Sequence, residues 1–293
     1  MKSWTLWGAA VAISVGLLAA VASPVAGSVT IGETHDPGSQ QCTDGYDWVQ
    51  PTVSSGNSYA VPSTGGVVSW VVISWATNAT GAAPNEKLTF KVFRKVGEPA
   101  RYQVVAHDGP RTLTPGGTSV NTFATSLLVR PGDVLGLYAD TGDPPCVFLV
   151  NGAFGSKFSL SNLADGQSAD FEPDDDTFLN VKATLTPDNS FTLESKRSHK
   201  KKGTATLSFN LPNPGELIGS GKGAKVSIAN ATATGSVVVP GAGPSQLLVK
   251  AKGKKKRKLN DTGKVKLPLT VTYTPTGGDP STQSVKVKLK KRL

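Results

Sequence analysis

Four groups of residues in this chain could do chemistry, and each points to a different task. The three histidines are His35, His107 and His199. His35 stands near the start of the polar region, His107 sits in an expected turn (His107-Asp108-Gly109-Pro110), and His199 adjoins a lysine run. No HExxH, CxxC, GxSxG elbow, P-loop or strand-following GxGxxG accompanies them. Carboxylate pairs could hydrolyse glycosides, but the order of residues does not bring any two across a cleft. These histidines therefore read as solvated loop residues, and the chain as non-enzymatic, with a secreted hydrolase as the lesser alternative.

The second group is acidic: Glu172, Asp174, Asp175 and Asp176, within Asp170-Phe171-Glu172-Pro173-Asp174-Asp175-Asp176. Calcium takes several hard oxygens from one loop, so a structural calcium is one reading. The spacing lacks the turn glycine and distant glutamate of an EF-hand, and a solvated turn that discourages edge pairing is the other. The third group is aromatic. Tyr46 and Trp48 lie in a polar, turn-rich segment beside Cys42 and could stack on a sugar; packing inside the fold is the alternative. Trp70 and Trp75 have odd spacing, so on a regular strand they point to opposite faces and at most one could face solvent.

The fourth group is cationic: Lys200, Lys201 and Lys202, then Lys254, Lys255, Lys256, Arg257 and Lys258, both runs expected on loops. Lys286, Lys288 and Lys290 alternate with Val287 and Leu289 and would project from one strand face. These runs are part of a wider partition. Residues 28–190 hold 9 Lys/Arg against 17 Asp/Glu, a net of −8, whereas residues 191–293 hold 21 against 4, a net of +17. A region so charged repels itself and draws polyanions, and outside a cell these include wall polymers and acidic glycans. The aromatics of this half, Phe191, Phe209 and Tyr273, fall on expected core faces, so base stacking and specific nucleic-acid recognition are not indicated. The alternative is that the basic half docks on the acidic one.

Elements must position these groups. Lys2 followed by the uncharged run Trp4 to Val21 and the small-x-small Ala20-Val21-Ala22 reads as a signal peptide over 1–27, cleaved near Ala22. A retained anchor is the alternative, since the apolar run approaches the ~20 residues of a membrane span. Export makes the two cysteines, Cys42 and Cys146, a disulfide candidate, with two buried thiols as the alternative. Short alternating runs recur without a helical stripe, so the expected class is all-β, with two β-sandwich domains after the cleaved signal. Roughly eight strands over about 150 residues suggest a jelly-roll-like sandwich for 28–186. After a linker at 187–190, about seven half-buried strands suggest an immunoglobulin-like sandwich for 191–293, without the Cys–Trp–Cys core of antibody domains. Pro268 cannot donate to a ladder and should lie on an edge strand or at a bulge.

Val120-Asn121-Thr122-Phe123, Val129-Arg130-Pro131-Gly132-Asp133-Val134-Leu135-Gly136-Leu137 and Leu179-Asn180-Val181-Lys182-Ala183-Thr184-Leu185 resemble segments of an uncharacterised family of exported actinobacterial proteins. The stretch Leu247 to Asn260 is similar to a Lys-rich β-domain that recurs in the same proteins. The resemblance implies export and paired β-domains, and no catalytic or binding residue. The expectation is an exported cell-envelope protein held on anionic surface polymers by its basic half, or alternatively a carbohydrate-binding protein acting through its N-terminal sandwich.

Overall fold

The computed structural model describes residues 27–35, 41–53, 55–79, 84–115, 120–149, 155–174, 177–228, 237–239 and 241–293. The expected signal segment, up to residue 26, lies outside the described residues. The fold is all-β, with every strand pair antiparallel.

In the N-terminal half the strands are β1 (Val29–Glu33), β2 (Asp47–Val49), β3 (Trp70–Thr77), β4 (Lys87–Gly97), β5 (Arg101–Thr112), β6 (Asn121–Val129) and β7 (Val134–Thr141). There follow β8 (Val147–Leu149), β9 (Ser156–Ser159), β10 (Ser168–Asp170), β11 (Glu172–Asp174), β12 (Thr177–Leu179) and β13 (Val181–Pro187). They form a four-stranded sheet, β1-β13-β3-β6, a seven-stranded sheet, β10-β5-β4-β7-β2-β9-β11, and the short pair β12-β8. Trp75 of the first sheet stacks on Phe90 of the second, with ring centroids 5.3 Å apart. Cys42 and Cys146 are bonded and fully buried.

Two local readings change here. A register shift between Val72 and Ser74 inverts the alternation of β3, so Trp70 and Trp75 both enter the core and Ile73 is turned outward. The residues His107 to Pro110, expected as a turn, run within β5, where the opposing β4 shifts register between Leu88 and Phe90.

The C-terminal half contains β14 (Thr192–His199), β15 (Thr204–Leu211), β16 (Gly215–Ser220), β17 (Ala224–Ile228), β18 (Val237–Val239), β19 (Gly243–Ala251), the helix α1 (Gly253–Thr262), β20 (Lys264–Pro275) and β21 (Ser281–Lys290). Two four-stranded sheets result, β14-β15-β19-β17 and β18-β16-β20-β21. Strict alternation in β20 and β21 sends Val265, Leu267, Leu269, Val285, Val287 and Leu289 into a second core, distinct in membership from the first. β20 is an inner strand without a bulge against β21. Its ladder with β16 nevertheless ends at Thr270, so Pro268 lies beyond the last paired position on that side, where a missing N–H is tolerated. No helix among the described residues is long and apolar enough to cross a membrane.

Residues 187–190, expected as a linker, carry hydrogen bonds between the two halves. β13 runs through Pro187, and the buried Asp188 donates its N–H to Ser69 O at 3.0 Å. Asn213, fully buried, accepts from the N–H groups of Val68 and Ser69 through Oδ1, both at 2.9 Å. Its Nδ2 donates to Ser69 O at 2.8 Å and Asp188 O at 3.0 Å, so one side chain spends its whole hydrogen-bonding capacity joining the halves. Asn213→Ala removes four hydrogen bonds at the junction. It leaves the Val68 and Ser69 N–H groups and Asp188 O without that partner, at a cost of about 1–3 kcal/mol for each such group that stays away from water. The expected result in calorimetry is that the two halves, coupled in the parent, melt as two resolved transitions.

Candidate functional site

The candidate site is the cationic surface of the C-terminal half, and its first part is a turn. β14 and β15 are joined by Lys200 to Gly203, with Gly203 at φ +61, a left-handed conformation that favours glycine. Lys200, Lys201 and Lys202 are all exposed there, on a loop as expected. Together with His199, Thr206, Gln246 and Lys250 they line a depression of about 550 Å³. His199 Nε2 lies 2.8 Å from Thr206 Oγ1.

The second lysine run corrects its expectation, since Lys254 to Lys258 lie on α1 and not on a loop. Lysine and arginine are good helix formers, and Leu259, 3 % exposed, is the one buried residue that anchors the helix to the core. Gly263 ends it in the left-handed conformation, φ +68, donating its N–H to Leu259 O at 3.0 Å. A single apolar residue makes no stripe, which is why periodicity did not reveal the helix. Its N-terminal turn holds lysines, no acid and no side-chain cap, the opposite of what the helix dipole favours.

The third part is a ladder on β20 and β21. Lys264 pairs across the strands with Lys290, and Lys266 with Lys288, all four exposed on the outer face. Like charges directly opposite each other destabilise a sheet. Because β16 stops pairing at Thr270, the lysine end of β20 lies free of it and packs against α1 instead. Lys255 and Lys258, three apart and so on one helix face, join Lys264, Lys266 and Lys288 around a depression of about 380 Å³. A third, of about 290 Å³, is lined by Lys200, Lys264, Lys288, Lys290, Lys291 and Arg292. The residues after β21 are held there by backbone bonds from Lys291 N to Gly263 O (2.8 Å) and Arg292 N to Lys200 O (2.9 Å).

No Asp or Glu lines any of the three depressions. Every ion pair among the described residues lies in the N-terminal half, as in Arg94–Asp133 and Arg111–Asp108, both 2.7 Å at the closest. Hydrogen bonds between the halves run through Val68, Ser69, Asp188, Asn189 and Asn213, and no lysine or arginine of the basic half pairs there with a carboxylate among the described residues. Among the described residues, none of these lysines is paired with a carboxylate of the acidic half.

Compared with protein-family models and with curated proteins, the chain matches none.

Of the residues singled out in the sequence, Lys200, Lys201, Lys202, Lys255, Lys258, Lys288 and Lys290 line the depressions. Lys254, Lys256 and Arg257 are exposed on α1 but line none. Lys250, Lys264, Lys266, Lys291 and Arg292 are not among them; Lys-x-Lys alternation hints at Lys250, Lys264 and Lys266, but not at Lys291 and Arg292. The other groups are placed elsewhere. Trp48 is 7 % exposed and its ring packs on Phe158 at 5.4 Å, with the half-buried Tyr46 edge-on to the same ring at 5.7 Å. The pair sits against the core and leaves no open Trp48 face for a sugar. Glu172 and Asp174 are on strand β11, not a loop, and the Asp174 carboxylate accepts from Thr177 Oγ1 at 3.1 Å. Asp175 and Asp176 lie outside the described residues, and no group of three His, Cys, Asp or Glu residues that could hold a metal occurs among those described. The histidines are scattered: His35 faces Glu33 at 3.0 Å, and His107 faces Asp165 at 2.7 Å.

Proposed function

We propose that the protein is an exported, non-enzymatic binding protein of the cell envelope, held on anionic surface polymers by its basic half. The N-terminal sandwich, read as jelly-roll-like, is its scaffold or head, and the immunoglobulin-like C-terminal module is its electrostatic tether. The observation that carries this reading is the placement of charge against stability. Lysines face lysines across β20 and β21, others crowd the helix end that prefers acids, and none is relieved by an internal ion pair among the described residues. Such an arrangement has a physical rationale when the compensating charge comes from outside. The disulfide agrees with an oxidising, extracytoplasmic location.

The test is retention of the full chain on purified anionic wall polymer. Binding is expected at low ionic strength, with log K falling linearly against log salt and release well before about 1 M, where the screening length is about 3 Å. For six engaged ammonium groups the slope on duplex DNA, used as a reference polyanion, is about −5. Absence of binding at low salt, or retention that ignores salt, overturns the proposal.

A further inference from the structure

We infer that the three lysine-lined depressions form one track for a flexible, linear phosphate polymer, a phosphodiester or polyphosphate chain. This rests on the electrostatic reading above and adds the shape and chemistry of the ligand.

The first argument is continuity. Lys200 lines both the 550 Å³ and the 290 Å³ depression, while Lys264 and Lys288 line both the 290 Å³ and the 380 Å³ depression. The track therefore starts on the outer face of β15 and β19, where Thr206, Gln246 and Lys250 point away from the core. It crosses the edge where β14 meets β21, bonded there by Ser198 Oγ to Lys288 O at 3.3 Å. It ends between α1 and the outer face of β20. The inner faces of the two sheets pack on each other, so the track begins on one side of the sandwich and finishes on the other. Sheets packed face to face are about 10 Å apart before side chains are added outside them. A bilayer surface or a rigid duplex can lie against one side of such a body, whereas a flexible chain can follow the bend.

The second argument is chemistry. The track's cations are all lysine except Arg292. Arginine's planar fork pairs bidentately with carboxylates and phosphates alike, whereas the ammonium is a compact point charge that can meet a phosphate oxygen from any direction. Lysines two apart on a strand, such as Lys264 and Lys266, repeat at about 6.7 Å, giving the regular positive spacing a polymer of repeating charge requires. No Phe, Tyr or Trp lines the track, so bases would gain no stacking there.

The experiment compares the full chain's affinity, at fixed low salt, for inorganic polyphosphate of increasing length, poly(glycerol phosphate), polyglutamate, duplex DNA and phosphatidylglycerol vesicles. Affinity for the phosphate polymers is expected to rise with length and then level off once the track is filled. At equal charge they should exceed duplex, vesicles and polyglutamate by about tenfold. Whichever of the two phosphate polymers binds tighter identifies the source. Lys264→Glu with Lys288→Glu, exposed residues at the link between depressions, is expected to cut long-chain affinity about tenfold, and by a larger factor than it cuts tripolyphosphate affinity. Lys254→Glu with Lys256→Glu changes the net charge equally but off the track, and should have the smaller effect. Equal effects of the two pairs, or duplex, vesicles or polyglutamate binding as tightly as the phosphate polymers, overturns the track while leaving the tether intact. Failure of every polyanion to bind overturns both.

Discussion

Replacing Lys91 by methionine lowers the stability of the N-terminal half by about 3–5 kcal/mol, the range for stranding one member of a buried ion pair. Lys91 is 2 % exposed and Asp47 0 %. The ammonium donates to Asp47 Oδ1 at 2.5 Å, Asn162 Oδ1 at 3.0 Å and Leu163 O at 2.9 Å, so all three protons are used. It also lies 4.6 Å from the centre of the Tyr138 ring. Asp47 Oδ2 accepts from Leu163 N at 2.8 Å and Ser161 Oγ at 3.2 Å. Burial pushes the Asp47 carboxyl up, against the pull of Lys91 and of the Leu163 and Ser161 donors. With methionine at 91 the carboxylate keeps its burial and loses its counter-ion, and the 161–163 segment loses its tie to β4. Asp47→Leu combined with Lys91→Met removes both charges and should recover much of the loss. Tryptophan fluorescence in denaturant reads this directly, because Trp48, Trp70 and Trp75 belong to the N-terminal core and residues 191–293 contain no tryptophan. A change below about 1 kcal/mol in the single variant would mean that the pair does not hold this sheet.

Cys42→Ser with Cys146→Ser has an effect of similar size through the other end of the equilibrium. The bond joins residues 104 apart in sequence, and a loop of that length restrains the unfolded chain by about 4–5 kcal/mol in the chain-entropy account. Both cysteines are fully buried in the N-terminal core, so the serines also bring two hydroxyls into apolar surroundings. The midpoint of the fluorescence transition should fall in the double variant, and reductant should shift the parent the same way. Polyanion binding should survive, since the lysine track stands on the second core. A loss under about 2 kcal/mol would mean that the bridge restrains little of the unfolded ensemble.

The two predictions differ in how visible their residues were beforehand. Two cysteines in a chain read as exported point to each other by elimination. Lys91, lying between Phe90 and Val92, reads as the solvated side of an alternating strand. It is buried because the 161–163 segment folds over the second face of the sheet, a contact across some seventy positions that no local pattern encodes. Trp70 and Trp75 show the same limit at short range. Their odd spacing implied opposite faces, and one register shift in β3 put both inside. The helix over the lysine run escaped because a solvated helix with one buried leucine carries almost no periodic signal.

The linear order of residues determined the all-β class, the candidate cysteine pair and the division into an acidic and a basic half, because composition and two-residue alternation are local properties. It also marked Lys200, Lys201, Lys202, Lys286, Lys288 and Lys290 as solvated. Only the tertiary structure decided that Lys264 stands opposite Lys290 and Lys266 opposite Lys288, that α1 lies beside that ladder, and that Lys200 joins it to the far face. Alternation says which side of a strand a residue takes, but not which residue of another strand it meets. That register is settled by packing the two sheets on one core, a cooperative and long-range outcome. The charge was legible in the chain, and its arrangement into a track was not.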